Sequence, residues 1–258
     1  LSFISSLDGT VVNRSEGDDP RVGASLGEGA LAYTGQEVRE DNLFLRAETG
    51  SSRLSFAAAA GHLVEGLEEP RSDSLENVRE VGLRVSGRVK ENQPVTLTKY
   101  LSYAHCDTAE DHSLYGLVSN EIEELKTAGF ESLMREQTEY LSEFWERADV
   151  EIEGDAAVQQ GIRFNIFHLL QSVGKDGRTR IAAKGLTGEG YEGHYFWDTE
   201  IYVLPFFIYT DPRIARGLLS YRYSILPRAR ERAAELAQKG ALFPWRTING
   251  REASSYYP

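Results

Sequence analysis

The stretch NEIEELKTAGFESLMREQTEYLSEFWERAD, residues 120–149, is where the periodicity of the chain becomes helical. Its apolar residues recur at spacings of three and four, with Glu, Lys and Arg between them, which is the pattern of an amphipathic helix. The residues predicted to share the apolar face are Ile122, Leu125, Leu133, Met134, Leu141, Phe144 and Trp145. Asn120 and Glu123 have the spacing of a capping box, so we predict that helical structure begins at about residue 118.

Residues 1–105, which precede this stretch, have the pattern of β-strands. In LRVSGRVK, Leu83, Val85 and Val89 alternate with polar residues, and VTLTKYLSY alternates in the same way. Short runs of period two, separated by Gly, Asn and Pro, predict an antiparallel sandwich or barrel. Residues 13–30 carry no period and are interpreted as loop.

Three further helices are predicted after residue 149. One is expected over residues 155–173, and another begins with Asp211 as its N-cap and Pro212 as its first helical residue. A third is expected from about Pro227 to Gly240. Strands followed by helices, without βαβ alternation, predict separate β and α domains.

The composition of the 258-residue chain is that of a soluble globular protein, with 41% hydrophobic and 26% charged residues. Its formal net charge is −12 and its sequence pI is about 5.0. A surface of that sign repels phosphate backbones and anionic lipids. Nucleic acids and membranes are therefore not expected as partners.

We expect neither a membrane-spanning segment nor a signal peptide. Its longest apolar run, IYVLPFFIY at residues 201–209, is far shorter than the roughly 20 residues of a membrane helix. There is no charged-then-apolar leader, and the single cysteine, Cys106, fits a reducing compartment. We expect a cytoplasmic protein. Because LSFISSLDGT begins inside a predicted strand, we also expect that the natural start is missing.

The segment GEGYEG, residues 188–193, matches the G-x-G-x-x-G pattern of dinucleotide-binding loops. Such a loop follows a buried strand and opens a helix, because the pyrophosphate sits on the free N–H groups of the helix. Here the preceding KDGRTRIAAKGLT is polar and aperiodic, and Glu189 and Glu192 would repel a pyrophosphate. We therefore reject nucleotide binding and expect no cofactor.

The aromatic run YFWD, residues 195–198, suggests a sugar site instead. A Trp ring offers a flat apolar surface to the C–H face of a sugar, and a carboxylate accepts hydrogen bonds from two adjacent hydroxyls. Trp197 and Asp198 supply both groups, and Trp245 in ALFPWRTING is a further candidate platform. Spacing alone leaves open the alternative that the aromatics are core and that Asp198 caps a helix starting at Thr199.

A much longer block around these residues resembles family 65 of the glycoside hydrolases. It is KGLTGEGYEGHYFWDTEIYVLPFFIYTDPRIARGLLSYRYSILPRARERA, followed by KGALFPWRTINGRE. Earlier in the chain, FISSLDGTVVN, SLENVREV and LTKYLSY resemble the later portion of the N-terminal β-sandwich of that family. The family contains maltose, trehalose and kojibiose phosphorylases and some related hydrolases. An ordered series of this kind is far more specific than any single motif.

The resemblance implies a fold and a sugar subsite. The expected order is β-sandwich over residues 1–107, helical linker over 108–148 and the first part of an (α/α)6 barrel over 149–258. The Trp-Asp pair of the family's glucose subsite maps onto Trp197 and Asp198. The neighbouring residues that the resemblance places in or behind the pocket are His194, Phe196, Glu200 and Trp245.

The resemblance also implies inverting phosphorolysis of an α-linked glucose disaccharide, of the maltose, trehalose or kojibiose type. A carboxylic acid protonates the glycosidic oxygen while inorganic phosphate attacks the anomeric carbon from the opposite face, which gives glucose 1-phosphate. The general acid of the family is a Glu expected beyond Pro258, and its phosphate site lies further on. We therefore expect no catalytic residue in this chain and no activity from it alone. Dimerisation is common in the family, so a homodimer is a possible assembly.

Asp198 and Glu200 do not have the spacing of an acid–base pair. Residues two apart on a helix point about 200° from each other, whereas an inverting pair needs carboxyls roughly 6.5–9.5 Å apart across one bond. We assign Asp198 to binding. Two alternatives stay open: a hydrolase of an α-linked disaccharide, and a non-catalytic carbohydrate-binding module.

Two other groups of residues are given no functional role. HCDTAEDH, residues 105–112, contains two His, a Cys and three acids, but its spacing matches no common zinc pattern, so no metal is expected. His168, in GIRFNIFHLLQ, is predicted to be a core or interface residue.

Overall fold

The structure is a computed structural model that describes residues 1–10, 31–50, 53–106, 111–186, 188 and 190–254, with the side chains of 111–113 left out. The chain divides into two compact units, whose described parts lie within residues 1–10 and 31–138 for the first and within 139–254 for the second. The division between these units falls inside a helix.

The first unit contains two antiparallel sheets, as the period-two pattern predicts. Its strands are β1 (Ser2–Asp8), β2 (Leu31–Arg39), β3 (Asn42–Thr49), β4 (Ser55–Glu65), β5 (Glu68–Asn77), β6 (Glu80–Arg88) and β7 (Thr96–Cys106). The strand order is β1-β6-β5 in one sheet and β2-β3-β4-β7 in the other. Two helices follow: α1 (Asp111–Ala128) and α2 (Phe130–Ala148).

The four-stranded sheet is buried on both faces at its centre. On β3, Leu43 and Leu45 pack with Leu83 of β6 in the core between the two sheets. Phe44, which lies between them and points to the other face, packs in a second core with Ile122 of α1. Because successive strand residues alternate between faces, this strand serves both cores. The first unit is therefore built as sheet, sheet and helix.

The predicted start of the helical region is wrong. Helix α1 begins at Asp111, so Asn120 lies in its interior and cannot be an N-cap. Glu123 instead accepts a hydrogen bond from Nδ2 of Asn42, at 2.9 Å. Asn120 and Glu123 have the spacing of a capping box because both lie on the exposed face of α1, inside the helix. Gly129, with φ of +76°, then separates α1 from α2.

The apolar residues of 120–149 do not form the single face that the sequence predicts. Ile122 lies in the core of the first unit, whereas Phe144 lies in the core of the second. Met134 is 47% exposed and belongs to neither. On the strand side, Val89 follows the end of β6 and is 47% exposed, so the alternation ends before it.

The second unit is mainly helical. Its elements are α3 (Ala156–Ser172), a short 3-10 helix (Tyr191–Gly193), β8 (Tyr195–Phe196), α4 (Asp198–Tyr202), α5 (Leu204–Thr210), α6 (Pro212–Ser224), α7 (Leu226–Glu235) and β9 (Arg246–Thr247). Helices α2, α3, α5 and α6 contribute to one apolar core, in which Phe144, Leu170, Phe207 and Leu218 are almost fully buried. No helix within the described residues is both long enough and apolar enough to cross a membrane.

The three helix starts predicted after residue 149 are confirmed, since α7 also begins within one residue of Pro227, and one predicted end is wrong. Asp155 caps α3 by accepting from the backbone N–H of Ala157 at 2.8 Å. Asp211 caps α6, and Pro212 is its first residue. Helix α7 ends at Glu235 rather than Gly240, because Ala237 already has a φ of +54° and the helical path stops before it.

His62 of β4 joins the two sheets of the first unit through a buried imidazole. Its Nδ1 lies 3.0 Å from the carbonyl oxygen of Asp41, which can only accept, so Nδ1 carries the hydrogen. Its Nε2 then accepts from the hydroxyl of Ser5 on β1, at 2.8 Å. Burial lowers the pKa of His62, and the nearby Lys99 and Lys126 lower it further. The hydrogen bond to the Asp41 carbonyl opposes this shift, and the net effect is that folding favours the neutral form of this histidine.

We expect the stability of the first unit to fall as the pH drops through about 6.5, the pKa of an unperturbed histidine. Near that pH, His62 takes up a proton in the unfolded chain but not in the folded chain. The stabilisation is therefore present above that pH and is lost as the pH falls below it. Thermal melts between pH 7.5 and 5.5 measure the effect. His62→Gln is expected to flatten the dependence, and His105→Gln, a change at an exposed position of β7, is expected to keep it. An unchanged pH dependence in His62→Gln would contradict the assignment.

Candidate active site

A two-stranded antiparallel ribbon brings the two candidate sugar-binding segments together. Strand β8 precedes Trp197 and pairs with β9, which directly follows Trp245. Beside this pairing the backbone N–H of Trp197 donates to the carbonyl oxygen of Trp245, at 3.2 Å. Tyr195 of β8 is 1% exposed and anchors the ribbon in the core of the unit. The FWD and FPW segments are therefore neighbours in space.

Asp198 is the first residue of α4 and is held by an indole. Nε1 of Trp245 donates to Oδ2 of Asp198 at 3.2 Å. Trp197 occupies the N-cap position, so Asp198 does not cap the helix in the way that the alternative interpretation required. Its side chain is exposed, and one carboxylate oxygen is fixed by Trp245.

Asp198 lines an open cleft of about 780 Å³ in the second unit. The walls are formed by one face of α3, by the loop that includes residues 181–186 and Gly188, by the start of α4 and by Trp245. Side chains that line it include Phe164, His168, Lys184, Tyr191, Phe196 and Asp198. This mixture of aromatic rings with a few polar groups is typical of small-molecule sites.

Trp197 lines a second concavity rather than this cleft. The second groove has a volume of about 380 Å³ and is also lined by Leu236, Phe243 and Glu252. Trp245 lines both concavities. Trp197 is 49% exposed and Trp245 is 36% exposed, so neither ring lies in a dry core. The structure thus places the two members of the Trp-Asp pair on different walls.

Phe196 supports the aromatic wall of the cleft. Its ring makes edge contacts with Tyr191 and Trp245, at centroid distances of 5.0 and 5.2 Å. Phe196 is 9% exposed. It therefore fixes the orientation of the ring that holds Asp198.

Glu200 lies in a partly buried network and is not among the described residues that line the cleft. The hydroxyl of Tyr195 donates to one of its carboxylate oxygens, and Nη2 of Arg222 donates to the other at 3.0 Å. The guanidinium of Arg222 also lies over the rings of Tyr195 and Phe243. Burial raises the pKa of Glu200, although Arg222 opposes the shift. This network ties α4 to α6 behind the site.

His194 is a loop residue held by backbone. Its Nδ1 lies 2.6 Å from the carbonyl oxygen of Tyr191 and 3.2 Å from Nη2 of Arg246. Burial lowers its pKa, and the guanidinium of Arg246 acts in the same direction. His194 is not among the residues that line either concavity within the described part of the chain.

The glycine pattern builds a turn and not a phosphate loop. Gly190 and Gly193 have φ of +122° and +71°, and Glu192 between them has φ of +53°. Within the described residues between α3 and this turn there is no strand. The carboxylate of Glu192 pairs with Arg246 of β9 at 3.1 Å. The glycines thus permit the tight turn that leads into β8.

Sequence reasoning missed three residues in or beside the cleft, which are His168, Lys184 and Glu252. His168 is half-buried and lines the cleft, with its ring 4.2 Å from that of Phe164, rather than lying in the core. Phe164, His168 and Ser172 recur every four residues along α3, and this spacing was the available signal. The positions of Lys184 and Glu252 could not be predicted from the sequence. Both residues lie in loops whose conformation depends on contacts with residues far away in the chain.

No group of three or more His, Cys, Asp or Glu side chains that could hold a metal occurs within the described residues. Of the HCDTAEDH segment, His105 and Cys106 end β7, and residues 107–110 lie outside that part of the chain.

Two family comparisons cover most of the chain. Residues 1–144 match the glycosyl hydrolase family 65 N-terminal domain, and residues 163–258 match the glycosyl hydrolase family 65 central catalytic domain.

Curated relatives share a third to a half of the residues. The chain is 48% identical to an α,α-trehalose phosphorylase of Thermoanaerobacter brockii over 261 residues, which cover 100% of this chain and 33% of the relative. It is 45% identical to the α,α-trehalose phosphorylase of Geobacillus stearothermophilus, covering 99% of this chain and 33% of that one. A kojibiose phosphorylase of Caldanaerobacter subterraneus subsp. tengcongensis is 34% identical, with 94% and 32% covered.

A solved structure agrees with this pattern. A protein from the human microbiome, provisionally assigned as a kojibiose phosphorylase, superposes with a TM-score of 0.80 at 26% identity, covering 98% of this chain and 32% of its own. The chain spans about a third of the length of the relatives that it matches. With both domain matches and these identities, the chain belongs to glycosyl hydrolase family 65.

Proposed function

We propose that this chain is part of an inverting disaccharide phosphorylase that cleaves an α-linked glucose disaccharide and releases glucose 1-phosphate. In this proposal residues 1–107 form the sandwich, 108–148 the linker and 149–258 the first part of an (α/α)6 barrel. The curated relatives named above are trehalose and kojibiose phosphorylases, which supports this reaction class. The observation that carries the proposal is the carboxylate of Asp198, held by an indole at the wall of an aromatic cleft.

Asp198 would bind two neighbouring hydroxyls of the glucosyl ring. A carboxylate accepts such a pair in a fork, and charge-assisted hydrogen bonds of this kind are roughly twice as strong as neutral ones. Because Oδ2 is already fixed by Trp245, the carboxylate is oriented before the sugar arrives. Little conformational freedom is then lost on binding, which favours affinity.

The aromatic groups would supply the apolar surface. Trp245 lines the cleft beside Asp198, and Phe196 holds its ring from behind. Trp197 would contact sugar from the adjoining groove, since its exposed ring lies one residue before Asp198 and shares Trp245 as a wall. His194 and Glu200 would support the pocket without touching the sugar.

The described lining of the cleft supplies few of the charged groups that the chemistry requires. Among its described lining residues, Asp198 is the one carboxylate and Lys184 the one ammonium group. Glu200 is engaged by Tyr195 and Arg222, so it does not bracket a bond together with Asp198. We propose, as the resemblance to the family implies, that the general acid and the phosphate site lie outside these 258 residues, and we expect no glucose 1-phosphate from this chain alone.

The reaction class is tested by the phosphate dependence of disaccharide cleavage. The full-length protein is incubated with trehalose, kojibiose or maltose, with and without inorganic phosphate. We expect glucose 1-phosphate and glucose from at least one of them, and at least a tenfold loss of cleavage when phosphate is omitted. Equal cleavage without phosphate would identify a hydrolase, and the absence of any cleavage together with retained sugar binding would identify a binding module.

A further inference from the structure

The carboxylate of Glu252 is buried at the base of the loop that carries Trp245. Its side chain is 7% exposed. Oε2 accepts the backbone N–H of Trp245 at 2.8 Å, and Oε1 accepts the backbone N–H of Arg246 at 3.1 Å and that of Ser254 at 3.2 Å. Arg232 of α7 completes the set with an ion pair at 3.2 Å. One carboxylate thus gathers four donors from three places in the chain.

These contacts make Glu252 an anion inside the fold. Burial alone would raise its pKa, but the backbone hydrogen bonds from Trp245, Arg246 and Ser254 hold the pKa of Glu252 below its ordinary value. Replacing this carboxylate removes the shared acceptor of three backbone N–H groups and the ion-pair partner of Arg232, and the loss of an acceptor is costly for a donor that water does not reach. The loop from Trp245 to Ser254 is therefore folded around this side chain.

Trp245 connects Glu252 to the candidate site. The backbone of Trp245 is held by Glu252 on its N–H side and by Trp197 on its carbonyl side. Its indole then donates to Asp198. A displacement at Glu252 consequently moves the group that orients the carboxylate of Asp198.

We propose that Glu252 is a positioning residue, which holds the Trp245 indole in the place where it orients Asp198 for the sugar. The proposal rests on the proposed function for the role of Asp198, but the position of the indole is measurable without any activity. Glu252 lines the adjoining groove and not the cleft, so it acts through Trp245.

The indole N–H resonances of the 258-residue chain test the positioning directly. The three tryptophans give three ¹⁵N–¹H indole peaks, and Trp245→Phe identifies the one from Trp245. We expect Glu252→Gln to move that peak toward the position of a water-exposed indole. Glu231→Gln removes a carboxylate from an exposed site on α7 and is expected to leave the peak in place. An unmoved Trp245 peak in Glu252→Gln would overturn the proposal.

A second variant covers the case in which Glu252→Gln does not fold. Glu252→Asp keeps the charge but is one methylene shorter, so we expect the Trp245 peak to move in the same direction by a smaller amount. If that peak coincides with the wild-type peak, the positioning role is likewise excluded.

Kinetics of the full-length protein test whether the position matters for the reaction. We expect Glu252→Gln to lower kcat/KM by about 10- to 100-fold, since small displacements of binding groups have effects of that order. In a protein that already carries Asp198→Ala, adding Glu252→Gln should lower kcat/KM by less than about a further threefold, because both changes act through the carboxylate of Asp198. Fully multiplicative effects would show a separate structural role and overturn the inference. If Asp198→Ala itself retains normal kcat/KM, the proposed function fails, while the resonance result still decides the positioning.

Discussion

Replacing Asp198 with alanine in the full-length protein is expected to lower kcat/KM for its disaccharide by about 30- to 1000-fold. The change removes charge-assisted hydrogen bonds to the glucosyl hydroxyls, which corresponds to about 2–4 kcal/mol of transition-state binding. It also removes the acceptor of the Trp245 indole. Initial rates of glucose 1-phosphate release over a range of disaccharide concentrations measure the loss.

The matched control for this prediction is Asp73→Ala. Asp73 is exposed on β5 in the first unit and should leave kcat/KM within about twofold of the wild type. Melting curves of both variants separate a loss of binding from a loss of folding. Near-normal kcat/KM in Asp198→Ala would remove its assigned role in binding sugar.

Phe207→Ala is expected to reduce the free energy of unfolding of the second unit by about 3–5 kcal/mol. Phe207 of α5 is fully buried in the core that also contains Phe144 and Leu218. Truncation removes the burial of the ring and leaves a cavity that the surrounding helices fill only in part. Urea unfolding followed by tryptophan fluorescence reports on this unit, because Trp145 packs against the same core.

Tyr209→Ala on the same helix is the control for this substitution. Tyr209 is 86% exposed, so its truncation is expected to change the free energy of unfolding by less than about 0.5 kcal/mol. A loss of similar size in both variants would show that α5 responds to helix propensity and not to packing of the Phe207 ring.

Helix starts could be predicted where the signal is local. Asp155 and Asp211 are recognised because a cap needs only its own side chain and the next two residues. The start of α1 was misplaced because Asn120 and Glu123 imitate a cap inside a helix, and only tertiary contacts such as that of Glu123 with Asn42 show their role. The end of α7 was misplaced because Ala237, rather than a glycine, adopts the left-handed conformation.

The composition of the site could be predicted, but its geometry could not. Trp197, Asp198 and Trp245 were identified from residue chemistry and from the resemblance to the family. Their proximity depends on the pairing of β8 with β9, two strands of two residues each that carry no periodicity. Consecutive residues at a helix start point about 100° apart, and for this reason Trp197 and Asp198 face different concavities.

The role of Glu252, in the loop after Trp245, could not be predicted from the sequence either. Glu252 is one of 40 acidic residues in the chain, and nothing in its neighbours marks it as buried. Its importance comes from the convergence of Trp245, Arg246, Ser254 and Arg232 on one carboxylate, which is a property of the folded chain.

A crystal structure of the full-length protein with glucose bound tests the sugar site most directly. We predict density for a glucosyl ring in the cleft, with two of its hydroxyls within hydrogen-bonding distance of the carboxylate of Asp198 and its C–H face against an aromatic ring of the wall. A ring bound in another concavity, with Asp198 and both Trp197 and Trp245 out of contact, would contradict the account.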